Sequence, residues 1–181
     1  MALFLIAGNF LFAQQRYLDE VFSSVTVTNG IVYGNNITVL TGTPAASNLL
    51  MDVYEPAGDI LAQRPLVLLF HTGSFLPAII NGQPTGGIKD SAIVEMCTRF
   101  AKRGYVAAAV SYRLGWNPIS PVQEVRTGTL INAAYRGVQD AHTCVRFFNK
   151  DAATTNTYKI DGGKIALGGI GTGGYISMAF A

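Results

Sequence analysis

The chain has 181 residues, 49% hydrophobic and 13% charged, with a formal net charge of +2. That is ample apolar material for one buried core and argues against global disorder. Its 13 Lys and Arg form no run, which argues against the clustered basic face of a nucleic-acid binder.

The first element is apolar. Ala2 to Ala13 is too short to span a bilayer as a helix but has the length of a signal-peptide core, with Ala13 small enough to precede a cleavage site. No Lys or Arg precedes it, so the usual basic start is missing; the competing reading is a buried first strand or helix. The expectation is a signal peptide over 1–13, a domain over 14–181, and a secreted or periplasmic protein without a stable membrane span.

Val21 to Thr28, Ile31 to Tyr33 and Ile37 to Leu40 read as an antiparallel meander, turning at Asn29-Gly30 and at Gly34-Asn35-Asn36. Leu49 to Tyr54 is a further strand, ended by Pro56. The pattern then changes to unbroken apolar runs at Leu66 to Phe70, Val106 to Val110 and Ile165 to Leu167. Such runs imply strands buried on both faces, hence a parallel sheet between helices.

Two helices fill the gaps. Ser91 to Arg103 carries Ile93, Met96, Cys97, Phe100 and Ala101 on one stripe, with Asp90 or Ser91 as N-cap and Gly104 placed for a left-handed C-cap. Thr129 to Asn149 carries Leu130, Ala134, Val138, Ala141, Val145 and Phe148. Cys97 and Cys144 fall on these helices, which should lie on opposite faces of the sheet, so buried thiols are expected in preference to a bridge. The two His and two Cys show no metal-ligand spacing, and neither a metal nor a cofactor is expected.

The segment Lys164 to Ala181 carries the chemistry. It reads as a strand, a glycine-rich turn, and a helix beginning near Gly174. Gly169 and Gly173 flank the turn as in the nucleophile elbow G-x-S-x-G, and Gly171 stands at the apex where the nucleophilic serine belongs. The same residues, Gly169-Ile170-Gly171-Thr172-Gly173-Gly174, also satisfy the dinucleotide-binding pattern G-x-G-x-x-G. Against that alternative, several strands precede the turn, and the acidic partner expected about 20 residues later would lie beyond Ala181.

From Leu49 onward, LMDVYEP, RPLVLLFHTGSF, RGYVAAAVSYRLGW, the helix around Gln139-Asp140-Ala141, and IDGGKIALGGIGTGGY together resemble the N-terminal half of the secreted esterase and lipase-like branch of the α/β-hydrolase fold. The resemblance implies antiparallel N-terminal strands, a parallel βαβαβα core ending after the elbow helix, and a carboxylic-ester hydrolase scaffold. It implies that Gly73 and Ser74, in the loop His71-Thr72-Gly73-Ser74, supply oxyanion-hole N–H groups together with that of Thr172, and that His71 shapes the loop. An ordinary polar βα turn is the competing reading of that loop, and Thr72 replaces a usual glycine. It also implies a structural set of Tyr112, Arg113 and Asp140, in which Arg113 is expected to pair with Asp140.

The departures are as informative. Gly171 cannot attack a carbonyl, so the usual covalent mechanism is excluded as written. Thr172 lies one step past the apex, and using it would put Ile170 where a flanking glycine is needed. Ser177 falls inside the helix. The triad order places acid and base after the nucleophile, so Asp52, Asp140, Asp161 and His142 all come too early, and Asp161 is expected to shape the turn at Gly162-Gly163. The expectation is therefore an incomplete or catalytically degenerate esterase-like protein. The alternative is a pseudo-hydrolase that binds a small ester or lipid without turnover. Because Ile165 to Leu167 is too apolar for a bare edge, a completing C-terminal half or partner chain is expected.

Overall fold

The computed structural model describes residues 15–40, 43–76 and 86–181. The apolar segment Ala2 to Ala13 lies outside these residues. Five strands form one sheet: β1 (Val25–Thr38), β2 (Ala45–Pro56), β3 (Arg64–Phe70), β4 (Val106–Val110) and β5 (Ile160–Gly169). Three helices accompany them: α1 (Ser91–Lys102), α2 (Gln123–Ala153) and α3 (Thr172–Phe180). The spatial order is β1-β2-β4-β3-β5, with β1, β2 and β4 antiparallel neighbours and β3 parallel to both β4 and β5.

The runs in β3 and β4 lie inside the sheet because neither face of these strands meets water, whereas at the edge strand β5 the expected burial on both faces fails: Ile165 and Leu167 are half-buried and Ala166 is exposed. Leu66, Leu68 and Phe70 of β3 point to one side, where Cys144 and Phe148 of α2 and Ile176 of α3 pack. Val67 and Leu69 point to the other, against Ile93, Cys97 and Ala101 of α1. Truncating a fully buried leucine such as Leu68 to alanine costs about 2–5 kcal/mol in this setting. Cys97 and Cys144 are free, buried, and on opposite faces, as expected.

Helix α1 ends as its sequence requires. Gly104 (φ 99°) donates to Ala101 O at 2.8 Å and Tyr105 N to Phe100 O at 3.2 Å, the paired bonds of a glycine-terminated helix. At its start the Asp90 carboxylate turns backward and accepts from Gly86 N at 3.0 Å, so it ties down the preceding loop rather than capping the helix.

Two expectations are corrected. The N-terminal meander is a single strand: β1 pairs along its whole length with β2, with register shifts at Thr28/Ile31 and Val32/Gly34. Gly30 (φ 69°) forms a bulge, not a hairpin turn, because its N–H goes to the buried Asp52 Oδ1 at 2.8 Å and the chain continues in the same direction. The second correction concerns the stripe on α2. Its core residues are Ala133, Gly137, Asp140, Ala141, Cys144 and Phe148, whereas Leu130 is exposed and Ala134, Val138 and Val145 are half-buried. The helix is rotated so that Gly137 meets Ile176 and Phe75, and Leu130, Ala134 and Val138 are left to line a cleft.

Winding reverses at β3. The chain leaves β3 through α1 on one face, whereas β5 leads into α3 on the other. Two adjacent parallel strands whose loops diverge to opposite faces leave a crevice at their C-terminal ends.

Candidate functional site

The crevice is floored by glycines. At the end of β5, Gly171 adopts φ 57° and ψ −120°, a backbone conformation that glycine reaches without a Cβ penalty. Its two flanking glycines are demanded by close approach. A Cβ on Gly169 would overlap the Gly173 backbone, and one on Gly173 would overlap the Phe70 carbonyl and stand 2.8 Å from that of His71. The strand, the sharp turn and the helix beginning at Thr172 can come this close only with hydrogen at both positions.

Opposite lies the loop after β3. Gly73 (φ 121°), Ser74 (φ 54°) and Phe75 (φ 57°) are three successive residues in the left-handed half of backbone space. Two of them carry side chains, and strain of this kind costs about 1–3 kcal/mol per residue. It is held in place by Gly115 N donating to Phe75 O at 2.9 Å and by Leu76 N donating to Gly73 O at 2.8 Å. A Cβ on Gly73 would stand 2.8 Å from Gly86 Cα, so this glycine too is fixed by close approach.

Tyr112, just past β4, joins the two loops. Its hydroxyl donates to His71 O at 2.8 Å and lies 3.0 Å from Thr172 Oγ1. Because its single proton goes to a carbonyl, the Thr172 hydroxyl donates to Tyr112. Burial pushes the Tyr112 phenol up to about 12, only partly offset by the bond from Thr172, so it stays protonated at neutral pH. Thr172 thus faces a weak acceptor rather than a base, which weighs against its use as a nucleophile. The His71 ring stacks on Tyr112 with centroids 4.4 Å apart. Its Nδ1 lies 2.6 Å from the Thr72 carbonyl, so this nitrogen carries the proton. Burial lowers the His71 pKa, opposed by that backbone bond and by the charge of Asp90. Sequence reasoning assigned Tyr112 a structural place only; its position two residues past a fully buried strand was the available signal.

Arg113 and Asp140 meet as expected. Arg113 Nη2 is 2.8 Å from Asp140 Oδ1, Nε is 2.9 Å from Oδ2, and the Arg113 backbone N–H adds a bond of 2.9 Å to the same carboxylate. Asp140 is fully buried and Arg113 nearly so. The remaining guanidinium donors reach Ile37 O and Gln139 Oε1. This pair locks the segment after β4 onto α2 and so sets where Tyr112 stands.

The other acidic and histidine candidates lie elsewhere. Asp52 pairs with Lys89 at 2.6 Å, and His142 packs on Phe180 on the exposed side of α2; Asp161 accepts from Gly163 N at 3.0 Å, but within β5 at its register irregularity and not in the expected turn. The Ser177 hydroxyl donates to Gly174 O inside α3. Among the described residues no group of three or more His, Cys, Asp or Glu could hold a metal ion, and no helix is long and apolar enough to cross a membrane.

Beside the elbow opens a cleft of about 660 Å³. Phe75, Trp116, Leu130, Val138 and Ile176 give it apolar walls, and Ser74 and Thr172 stand at its polar end. The expected site residues His71, Gly73, Ser74, Gly171 and Thr172 are thus gathered around one crevice.

No protein-family model matches the sequence, and no curated protein sequence matches it significantly. Solved structures do. A hyperthermophilic esterase from the archaeon Pyrobaculum calidifontis superposes with a TM-score of 0.52 at 21% identity, over 88% of this chain and 38% of its own. Thermogutta terrifontis esterase 2, in a form phosphonylated by sarin, gives 0.52 at 23% identity over 80% and 43%. A thermostable carboxylesterase cloned from a metagenomic library gives 0.52 at 20% identity over 91% and 42%. The chain therefore spans about two fifths of the length of these esterases, and the likeness shows an α/β-hydrolase fold.

Proposed function

We propose, for a chain with the α/β-hydrolase fold, an exported esterase-like protein whose cleft binds an ester or acyl ligand and which does not use the serine mechanism. The observation that carries this reading is the apex glycine, in a nucleophile-elbow conformation next to Thr172 at the polar end of the apolar cleft. In this reading the N–H groups of Gly73, Ser74 and Thr172 face the ligand's carbonyl oxygen, and Phe75, Leu130, Val138 and Ile176 receive its hydrocarbon part. Without a side chain at residue 171 no acyl-enzyme can form there.

Trp116 is the chain's one tryptophan and lines the cleft, so its fluorescence reports occupancy. Hexanoate or p-nitrophenyl hexanoate is expected to shift that fluorescence saturably, with no burst of p-nitrophenol. A burst of one equivalent per chain would restore the covalent-enzyme reading. A rise in melting temperature with a nicotinamide dinucleotide, and none with hexanoate, would favour the dinucleotide alternative.

Export rests on Ala2 to Ala13 and is tested by N-terminal sequencing of the protein made in a secreting host, where removal of residues 1–13 is expected. The reading also includes a completing segment or partner chain. Its support is the bare side of β5, where Ala166 is exposed, and the outward face of α3, where Tyr175 and Met178 are 70% and 77% exposed. Concentration-dependent association of the isolated 181 residues is expected; a sharp melt of a monomer would oppose it.

A further inference from the structure

The side of Gly171 is occupied. A Cβ built on this glycine comes within 3.0 Å of Thr72 Oγ1, closer than real Cβ atoms approach a non-bonded neighbour, and stands 3.3 Å from Thr72 Cβ. The hydroxyl that fills this space belongs to the opposite loop. We propose that Thr72 and Gly171 are an interlocked pair, in which the threonine hydroxyl takes the station of the missing elbow side chain.

Three observations support the interlock. Thr72 is β-branched, so two of its three staggered χ1 positions carry a heavy atom, and turning the side chain exchanges Oγ1 for a methyl more readily than it clears the space. Its backbone is fixed on both sides: the Thr72 carbonyl accepts from His71 Nδ1 at 2.6 Å, and the next residue is pressed against Gly86. Gly171 is held equally firmly between Gly169 and Gly173, whose close approaches leave the turn no room to retreat. The two loops therefore admit one side chain between them, and it comes from residue 72. A serine placed at 171 would meet both backbone strain and the threonine, so restoring a nucleophile here takes two changes rather than one.

The test is a double-mutant cycle on the full chain, read by melting temperature. G171S is expected to lower the midpoint by roughly 8 °C with Thr72 present and by roughly 4 °C in the T72A background. Backbone strain is the same in both backgrounds, so the difference isolates the clash. G171A should show the same coupling, because the clash is at Cβ. Should G171S fail to fold, recovery of a cooperative melt in T72A/G171S supports the interlock equally. Equal losses in both backgrounds, or a folded double variant no better than G171S alone, would overturn it.

Discussion

Two regions of this molecule hold loops at the C-terminal end of the sheet by opposite means. At the elbow, Gly169, Gly171 and Gly173 fix the geometry by lacking side chains: carbonyls and backbone atoms sit where a Cβ would be. Next to it, Arg113 and Asp140 fix the segment after β4 with a buried ion pair that satisfies nearly every polar atom it brings in. The first device is steric and tolerates no addition. The second is electrostatic and tolerates no removal. Tyr112 joins them, one residue from Arg113 and hydrogen-bonded to both sides of the crevice.

The sharpest way to break the comparison is to add one carbon. Gly173→Ala is expected to cost about 4 kcal/mol or more, since its overlap is with the Phe70 and His71 carbonyls and can be relieved only by moving backbone. Loss of the cooperative urea transition is the readout, and a near-native midpoint would mean that the turn is looser than described. The matching removal is Asp140→Asn. It leaves the buried Arg113 charge without its counterion, and a loss of about 3–5 kcal/mol by urea denaturation is expected. Unchanged stability would show that the pair is not the lock assigned to it.

Tyr112→Phe probes the joint between the two devices. It strips the buried His71 carbonyl of its donor, and a loss of about 1–2 kcal/mol is expected, together with a changed Trp116 emission if the loop relaxes. A smaller effect comes from pH. The folded-state pKa of His71 is lowered by burial, so between that value and the unfolded value of 6.5 the unfolded chain binds more protons. The contribution of neutral His71 is present above 6.5 and is lost as pH falls below it. Asp59, where burial is outweighed only by the bond from Arg16, the Leu61 N–H and the charges of Arg16 and Arg64 together, has a folded pKa below 3.8, so its own loss starts at lower pH. A melting midpoint that declines from about pH 6.5 downward in the wild type and stays flat in His71→Phe is expected. The smallest effect is the control. Glu95→Ala breaks the exposed pair with Arg99 on α1, and no measurable change in midpoint is expected.

Much of this was legible in residue order. Leu66 to Phe70 and Val106 to Val110 announced buried parallel strands, because an unbroken apolar run belongs between two covered faces; Ile165 to Leu167 announced the parallel strand but not its half-bare position at the sheet edge. The spacing Gly169, Gly171, Gly173 announced the sharp turn for a similar reason, since glycines at alternate positions mark a backbone under steric pressure. The bulged β1 was less legible: Asn29-Gly30 signals a reversal equally well, and only the buried carboxylate of Asp52 turns it into a bulge. The face that α2 presents was displaced because Gly137 packs against Ile176, a neighbour that no local periodicity contains.

By itself the sequence determined the three parallel strands, the helices and the vacant apex, and its resemblance to the hydrolase fold implied the Arg113–Asp140 pair. Each of these depends on local patterning or on a buried charge that must find its opposite. Tertiary structure alone decided what surrounds the vacancy: that Tyr112 joins the two loops, that an apolar cleft opens beside α3, and that Thr72 fills the space at Gly171. Those relations hold between residues far apart in the chain. They arise from close packing at the ends of adjacent strands, where distances of a few tenths of an ångström decide which side chain is admitted.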